Sequence, residues 1–471
     1  MSERDDAVTG GRRSKFGADL KTVLAERDFR KLFGTRLVAQ TGDGIVTAAV
    51  GTYVFFSAST FPNPMAGAAA FAVLYLPYSL IGPFAGVFLD RWSRRQILVW
   101  SAPIRGALVV VTAGLMVANI RSVPLYIAVL AVSAVSRFLL SALSVAIPHV
   151  TPASKLVVAN AVSDTIGGMM SALGGIIALG INAATGDTER GAAVTMLVGG
   201  GCYVAAGVVA TIMPKDLLGP SRVGRPPVPP EAGTGRVGTD LREVAAGLLA
   251  GARYVLGRRG PRAALGATSA YSFLFGPLFL MTILLYRNYF FPAQVTVAES
   301  HVGRLAVFSA VGYVCAALIT PPATRRLSKQ AWITLMLIGA GATTAAVGET
   351  FNEGAYLAIG FLMYLTRQGV AIASVTILQE GIEDSFRGRV FAFYDMVYNA
   401  AYAIGAALFA VFMPFDGKSP VVVAVIAAGF LVAALVYWLS AGGSPADRSS
   451  AEPVSSETGP SPSAAAHRSS S

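Results

Sequence analysis

The sequence is short of charge. Asp, Glu, Lys and Arg together make up 13% of 471 residues, about half of what soluble globular domains carry. That shortage excludes a water-soluble fold of this length. Cysteine is nearly absent too: Cys202 and Cys315 both lie inside apolar runs and supply no disulfide framework. The three histidines and two cysteines form no metal-ligand cluster, and no G-x-x-x-x-G-K-[ST] run occurs. ATP-driven transport by this chain alone is therefore not expected, nor is any cofactor or metal. The N-terminal stretch is polar and basic without an apolar core, so no cleaved signal peptide is expected either.

What the chain has instead is apolar length. It is 54% hydrophobic, with fifty glycines and a mean hydropathy of +0.59. The formal charge is +11, but the basic residues fall in the gaps between apolar runs. That pattern fits a protein set in a lipid bilayer and not a partner of nucleic acid. Twelve runs are long enough to cross a membrane as helices. The first six cover about 37–58, 68–89, 96–117, 124–147, 157–181 and 192–213. The second six cover about 264–285, 305–323, 331–348, 355–378, 390–413 and 421–439.

The gaps divide the chain further. Residues 1–36 read as a cytoplasmic segment with an amphipathic end, and 37–213 as a first six-helix bundle. Residues 214–262 form a Pro-, Gly- and Arg-rich linker, inside which Thr239-Asp240-Leu241-Arg242-Glu243 opens an amphipathic helix. Residues 263–440 make a second bundle, and 441–471 a disordered Ser-, Pro- and Ala-rich tail. Lys and Arg concentrate in the N-terminal segment, the loop after Leu89, the linker and the Arg325-Arg326 loop. The positive-inside rule then places both termini in the cytoplasm of a multi-pass protein of the cell membrane.

A shift of about 230 residues maps the first half onto the second. Gly82 falls on Gly312, Arg95 on Arg325, Ser136-Arg137 on Thr366-Arg367, and Ser144-Val145 on Ser374-Val375. One constant offset aligning separate charged features implies two bundles related by an axis along the membrane normal. Asp90 has no counterpart acid: Thr320 stands in its place.

The loop between the second and third runs carries the most specific motif. Gly86-Val87-Phe88-Leu89-Asp90-Arg91-Trp92-Ser93-Arg94-Arg95 is similar to the G-x-x-x-D-R-x-x-R-R signature of the major facilitator superfamily. The chain thus resembles an all-α transporter of twelve transmembrane helices in two pseudo-symmetric bundles. Three further stretches resemble its drug-efflux branch, which includes macrolide and enterobactin exporters. They are Arg27-Asp28-Phe29-Arg30 with Gln40-Thr41-Gly42-Asp43, Ser141 to Pro148 with Leu156 and Ala159-Asn160-Ala161, and Glu383 to Phe391. One departure stands against that branch. The fifth run reads Leu173-Gly174-Gly175-Ile176, without the Gly-Pro pair many exporters carry there.

The resemblance implies export of an amphipathic small organic molecule by proton antiport, from a monomer embedded in lipid and with no enzymatic activity. A siderophore exporter, a lipid or lysolipid flippase, or a non-transporting scaffold are the alternatives. By analogy, Asp90 on one half meets Arg387 and Arg389 on the other, so Gly86, Asp90, Arg91, Arg94, Arg95, Arg387 and Arg389 are gating candidates.

Charges inside the bilayer are kept for pairing or function, because each central Arg or Asp costs about 2.5–3.5 kcal/mol on insertion. Arg36, Gln40, Asp43 and Thr47 form one helical stripe, expected to face a water-filled cavity. Asp43, Arg36 and Arg137 are the proton-coupling candidates. The cavity and substrate candidates are Gln40, Thr47, Ser141, Arg367, Asn399 and Tyr402. Two readings of Asp43 stay open at this point: coupling to protons, or pairing with Arg36, Arg105 or Arg137 to hold helices together.

Overall fold

The computed structural model describes residues 22, 24–56, 63–69, 72, 94–120, 123–152, 155–185, 189–214, 237–292 and 294–441. Among these the chain is helical throughout, without a strand. Helix α1 spans Arg27–Phe56, α2 Arg94–Val117, α3 Val123–Val150, α4 Leu156–Thr185 and α5 Glu189–Thr211. After the linker come α6 (Val237–Leu256) and α7 (Arg259–Leu284), which continues as a π-turn over Leu285–Phe290. Then follow α8 (Val295–Arg326), α9 (Lys329–Gly348), α10 (Glu353–Gly381), α11 (Asp384–Ala410) and α12 (Pro420–Ala441).

The helices are inside out by the standard of soluble proteins. Leu318, Phe412 and Leu439 are each 70% exposed, and many other large apolar side chains also point outward. Such a surface is stable only against acyl chains. Nine helices among the described residues are long and apolar enough to cross a membrane. Prolines sit inside four described helices, at Pro103, Pro148, Pro277 and Pro321-Pro322. Membrane helices tolerate them because neighbouring groups take up the freed carbonyls.

Several helices begin or end beyond the expected bounds. The amphipathic end of residues 1–36 and the first apolar run are one continuous helix, since α1 starts at Arg27. Phe29 and Leu32 already pack into the core of the first half. The eighth run starts ten residues early, at Val295, so that Ala298 and Glu299 are buried inside α8. The second run and the motif loop after it, including Gly86, Asp90 and Arg91, fall almost wholly outside the described residues.

Two packing groups emerge. In the first, α1 packs against α4, α5 and α3, and α2 against α3 and α5. In the second, α7 packs against α11, α12 and α10, α8 against α10, and α9 against α10 and α12. Both groups use one device at the same place in the repeat. A Cβ on Gly44 would lie 1.9 Å from the Ser171 carbonyl oxygen, and one on Gly174 2.1 Å from that of Thr41. In the second group Gly276 meets the Tyr402 carbonyl at 2.3 Å, and Gly405 that of Phe273 at 1.9 Å. Helices α1–α4 and α7–α11 therefore touch backbone to backbone, as small residues allow in a membrane. The close approach in the fifth run is a packing contact.

The groups meet where α8 crosses α4 and α1. Helix α6 lies against the start of α11, with Tyr254 stacked on Phe386 at 4.4 Å between centroids and Arg258 bonded to Glu383 at 3.1 Å.

Candidate functional site

The polar stripe of α1 divides by height. At its lower level the buried Arg36 donates from Nε to Gln40 Oε1 (3.0 Å). Its Nη1 donates to Ser163 Oγ on α4 (3.2 Å) and Ser144 Oγ on α3 (3.5 Å). Gly167 makes room for Gln40, because a Cβ there would overlap Gln40 Oε1. This corner joins three helices around one guanidinium.

Two turns higher, Asp43 leaves the stripe's company. It accepts a bond from Arg105 on α2 and a second, at 2.9 Å, from the Tyr203 hydroxyl on α5. The Arg105 guanidinium also lies 3.3 Å from the centre of the Tyr203 ring. Arg105 is 1% exposed. The three side chains form a closed triad of ion pair, hydrogen bond and cation–π contact in the interior of the first half. Thr47, one turn beyond, is exposed.

Arg137 and Arg367 occupy matching repeat positions on α3 and α10, and both are half-buried. Arg367 bonds to the Tyr398 hydroxyl and stands 5.1–5.8 Å from the rings of Phe275, Tyr364 and Tyr398. Tyr402 is buried 6.0 Å from Phe275, which makes it part of the second group's core. Asn399 donates to the Asp395 carbonyl one turn back (2.8 Å). Ser141 is half-buried on α3.

The gating candidates separate. Arg95 donates to the carbonyls of Met213 (2.7 Å) and Thr211 (3.1 Å), so it caps the end of α5. Arg389 is exposed, and Gly251 of α6 abuts its carbonyl. Arg94 and Arg387 lie at helix starts, with side chains outside the described residues, as are Gly86, Asp90 and Arg91.

Two residues here, Ser163 and Tyr203, escaped sequence reasoning, as did Asn182 on α4 and Glu299 on α8, which bond to each other at 3.0 Å. Each bears a polar group in an apolar run or next to one, which is the only signal the sequence offers.

No protein-family model matches the sequence. Two curated relatives, from Mycobacterium tuberculosis and Mycobacterium bovis, are 31% identical over 421 residues, covering 88% of this chain and 92% of theirs. Both are described as uncharacterised transporters of the major facilitator type. The chain belongs to the major facilitator superfamily. Solved structures carry the same fold. A nucleoside transporter, NupG, aligns with a TM-score of 0.59 at 14% identity over 88% of this chain and 99% of its own. A POT family transporter in complex with a thioalcohol-conjugated peptide aligns at 0.66 and 11% identity over 88% and 96%. A major facilitator chain is a membrane transporter of small molecules, and its relatives are named as transporters, not enzymes.

Proposed function

We propose that this facilitator exports an amphipathic small organic molecule from the cytoplasm by proton antiport, with alternating access between its two halves. The observation that carries the reading is the buried Asp43–Arg105–Tyr203 triad. A proton and the Arg105 guanidinium compete for the same carboxylate. Protonating Asp43 releases Arg105 inside the first bundle and changes how α1, α2 and α5 hold together. Arg36 and Arg137 complete the coupling set. The two packing groups serve as the moving bundles, both termini face the cytoplasm of the cell membrane, and a monomer suffices.

The substrate reading rests on Arg367. A guanidinium bordered by Phe275, Tyr364 and Tyr398 suits a bulky molecule that offers an aromatic face and a polar acceptor. Gln40, Thr47, Ser141, Asn399 and Tyr402 complete the proposed cavity set, with Thr47 at its wet end and Tyr402 behind Phe275. The solved neighbours carry nucleosides and peptides by name, but at 10–15% identity they lend their fold only. Export is supported by the motif stretches around Asp43, Ser141 and Phe386.

One proton moving down 100 mV carries about 2.3 kcal/mol, enough for roughly a fifty-fold ratio of a neutral substrate. The test is transport of a dye and drug panel in proteoliposomes under an imposed proton gradient. Asp43→Asn should abolish gradient-driven accumulation of any transported compound while leaving downhill exchange measurable. Accumulation by the variant would assign the triad to packing alone. Movement of siderophores or lysolipids in place of drugs would redirect the substrate reading.

A further inference from the structure

One buried acid plays no part in that reading. Glu299 is 4% exposed, on the first turns of α8 in the second packing group. Its Oε1 accepts a bond from Asn182 Nδ2 on α4 (3.0 Å) and another from Thr52 Oγ1 on α1 (3.0 Å). Both donors belong to the first group. Asn182, 2% exposed, is itself held from behind, since its Oδ1 accepts from Thr195 Oγ1 on α5 at 2.5 Å. Three helices of one half thus aim donors, directly or through Asn182, at a single carboxylate of the other. Close packing surrounds it: a Cβ on Gly303 would sit 3.4 Å from Leu179, and Ala68 and Val54 of the first half join the second half's core.

We propose that Glu299 is the latch of the gate at this end of the transporter, which is the extracellular end under the orientation given above. With the gate shut, one carboxylate oxygen ties the ends of α1 and α4 to α8. Opening must break both bonds at once, because α1 and α4 move together on their glycine contact. Asn182 keeps its orientation through Thr195, so it is ready to remake the bond when the halves close. Charge-assisted bonds between desolvated partners are the strong kind, and exchanging them for water is the step that gates access. The inference rests on alternating access alone and on neither the substrate nor the coupling ion of the proposed reading.

The test needs no substrate. In a Cys202→Ser/Cys315→Ser background, spin labels go on Ala184 and Arg304, both exposed beside the latch on opposite halves, and their distance distribution is measured in nanodiscs. Glu299→Ala and Asn182→Ala should each raise the long-distance population several-fold. The double variant should move it no further than Glu299→Ala alone, because losing the carboxylate already removes the Asn182 bond together with the Thr52 bond. Glu299→Gln keeps the accepting oxygen and loses the charge, so it should fall between wild type and Glu299→Ala. Unchanged distributions in the alanine variants, or shifts that simply add, would overturn the latch. Should the alanine variants fail to fold, Thr52→Val and Glu299→Gln decide: a smaller shift in the same direction supports it, and no shift overturns it. A working latch in a chain that moves no substrate against a proton gradient would sink the antiport reading and leave this one standing.

Discussion

At the scale of the residue, Asp43 shows why a stripe on a helix does not name its neighbours. Arg36 and Asp43 share a face, but they stand about 10 Å apart along the axis at 1.5 Å per residue. Over that height the helices around α1 change, from α3 and α4 beside Arg36 to α2 and α5 beside Asp43. The sequence shows the angle and hides the crossing. Magnitudes follow from the triad. Arg105→Ala leaves a carboxylate buried without its cation and should cost about 3–5 kcal/mol, seen as a large fall in the melting temperature in detergent. Tyr203→Phe removes one hydrogen bond to the carboxylate and keeps the ring under Arg105, so it should cost less, about 1.5–3 kcal/mol. Equal losses from the two variants would show that the ion pair does not dominate the triad. Glu299 was illegible for another reason. It lies between the apolar runs at 264–285 and 305–323, and its burial depends on a partner bundle about 120 residues upstream in the chain.

At the scale of the element, the glycine pairs were present in the sequence, but Gly44–Gly276 and Gly174–Gly405 fall one or two residues off the offset that relates Gly82 to Gly312. Charge made the arginines stand out among the repeats. Glycine is so common here that its spacing carries little weight by itself. Their contacts set a clear contrast. Gly405→Ala puts a Cβ 1.9 Å from the backbone oxygen of Phe273, where neither partner is a movable side-chain tip, so α7 and α11 must separate. A loss of at least about 1–3 kcal/mol is expected, the range for overpacking. Gly51→Ala on α1 meets nothing within 4 Å and should be neutral or stabilising by up to about 1 kcal/mol through helix propensity. Thermal unfolding of both variants in one detergent checks the pair. A harmless Gly405→Ala would mean that this contact is looser than its geometry.

At the scale of the whole molecule, the amphipathic linker helix was legible from its spacing and its placement was not. Helix α6 docks on the start of α11 through the Tyr254–Phe386 stack and the Tyr254 hydroxyl bonded by the Glu383 amide at 3.1 Å, and two residues past its end Arg258 pairs with Glu383. The pair is exposed at 40% and 66% and is worth about 0–1 kcal/mol at most. The ring stack buries area and adds about 0.5–1.5 kcal/mol more. Tyr254→Ala should therefore speed amide exchange across 237–256 markedly, and Glu383→Gln should change it little. The reverse order would place the docking in electrostatics. An all-helical membrane protein of the major facilitator fold could be read from hydropathy and the motif because lipid imposes length on every apolar run. The meeting of the halves could not, since it depends on which conformation the chain holds.

The backbone contacts at Gly44–Ser171 and Gly405–Phe273 have a practical side. Two helices locked at van der Waals distance keep their mutual spacing whatever the bundles do around them. Probes on the outer faces of α1 and α4, or of α7 and α11, should report one invariant length through every stage of the cycle. Each half thus contains its own ruler. Motion measured between the halves can be calibrated against it within the same sample, and any change in the ruler would signal damage to a half instead of a turn of the cycle.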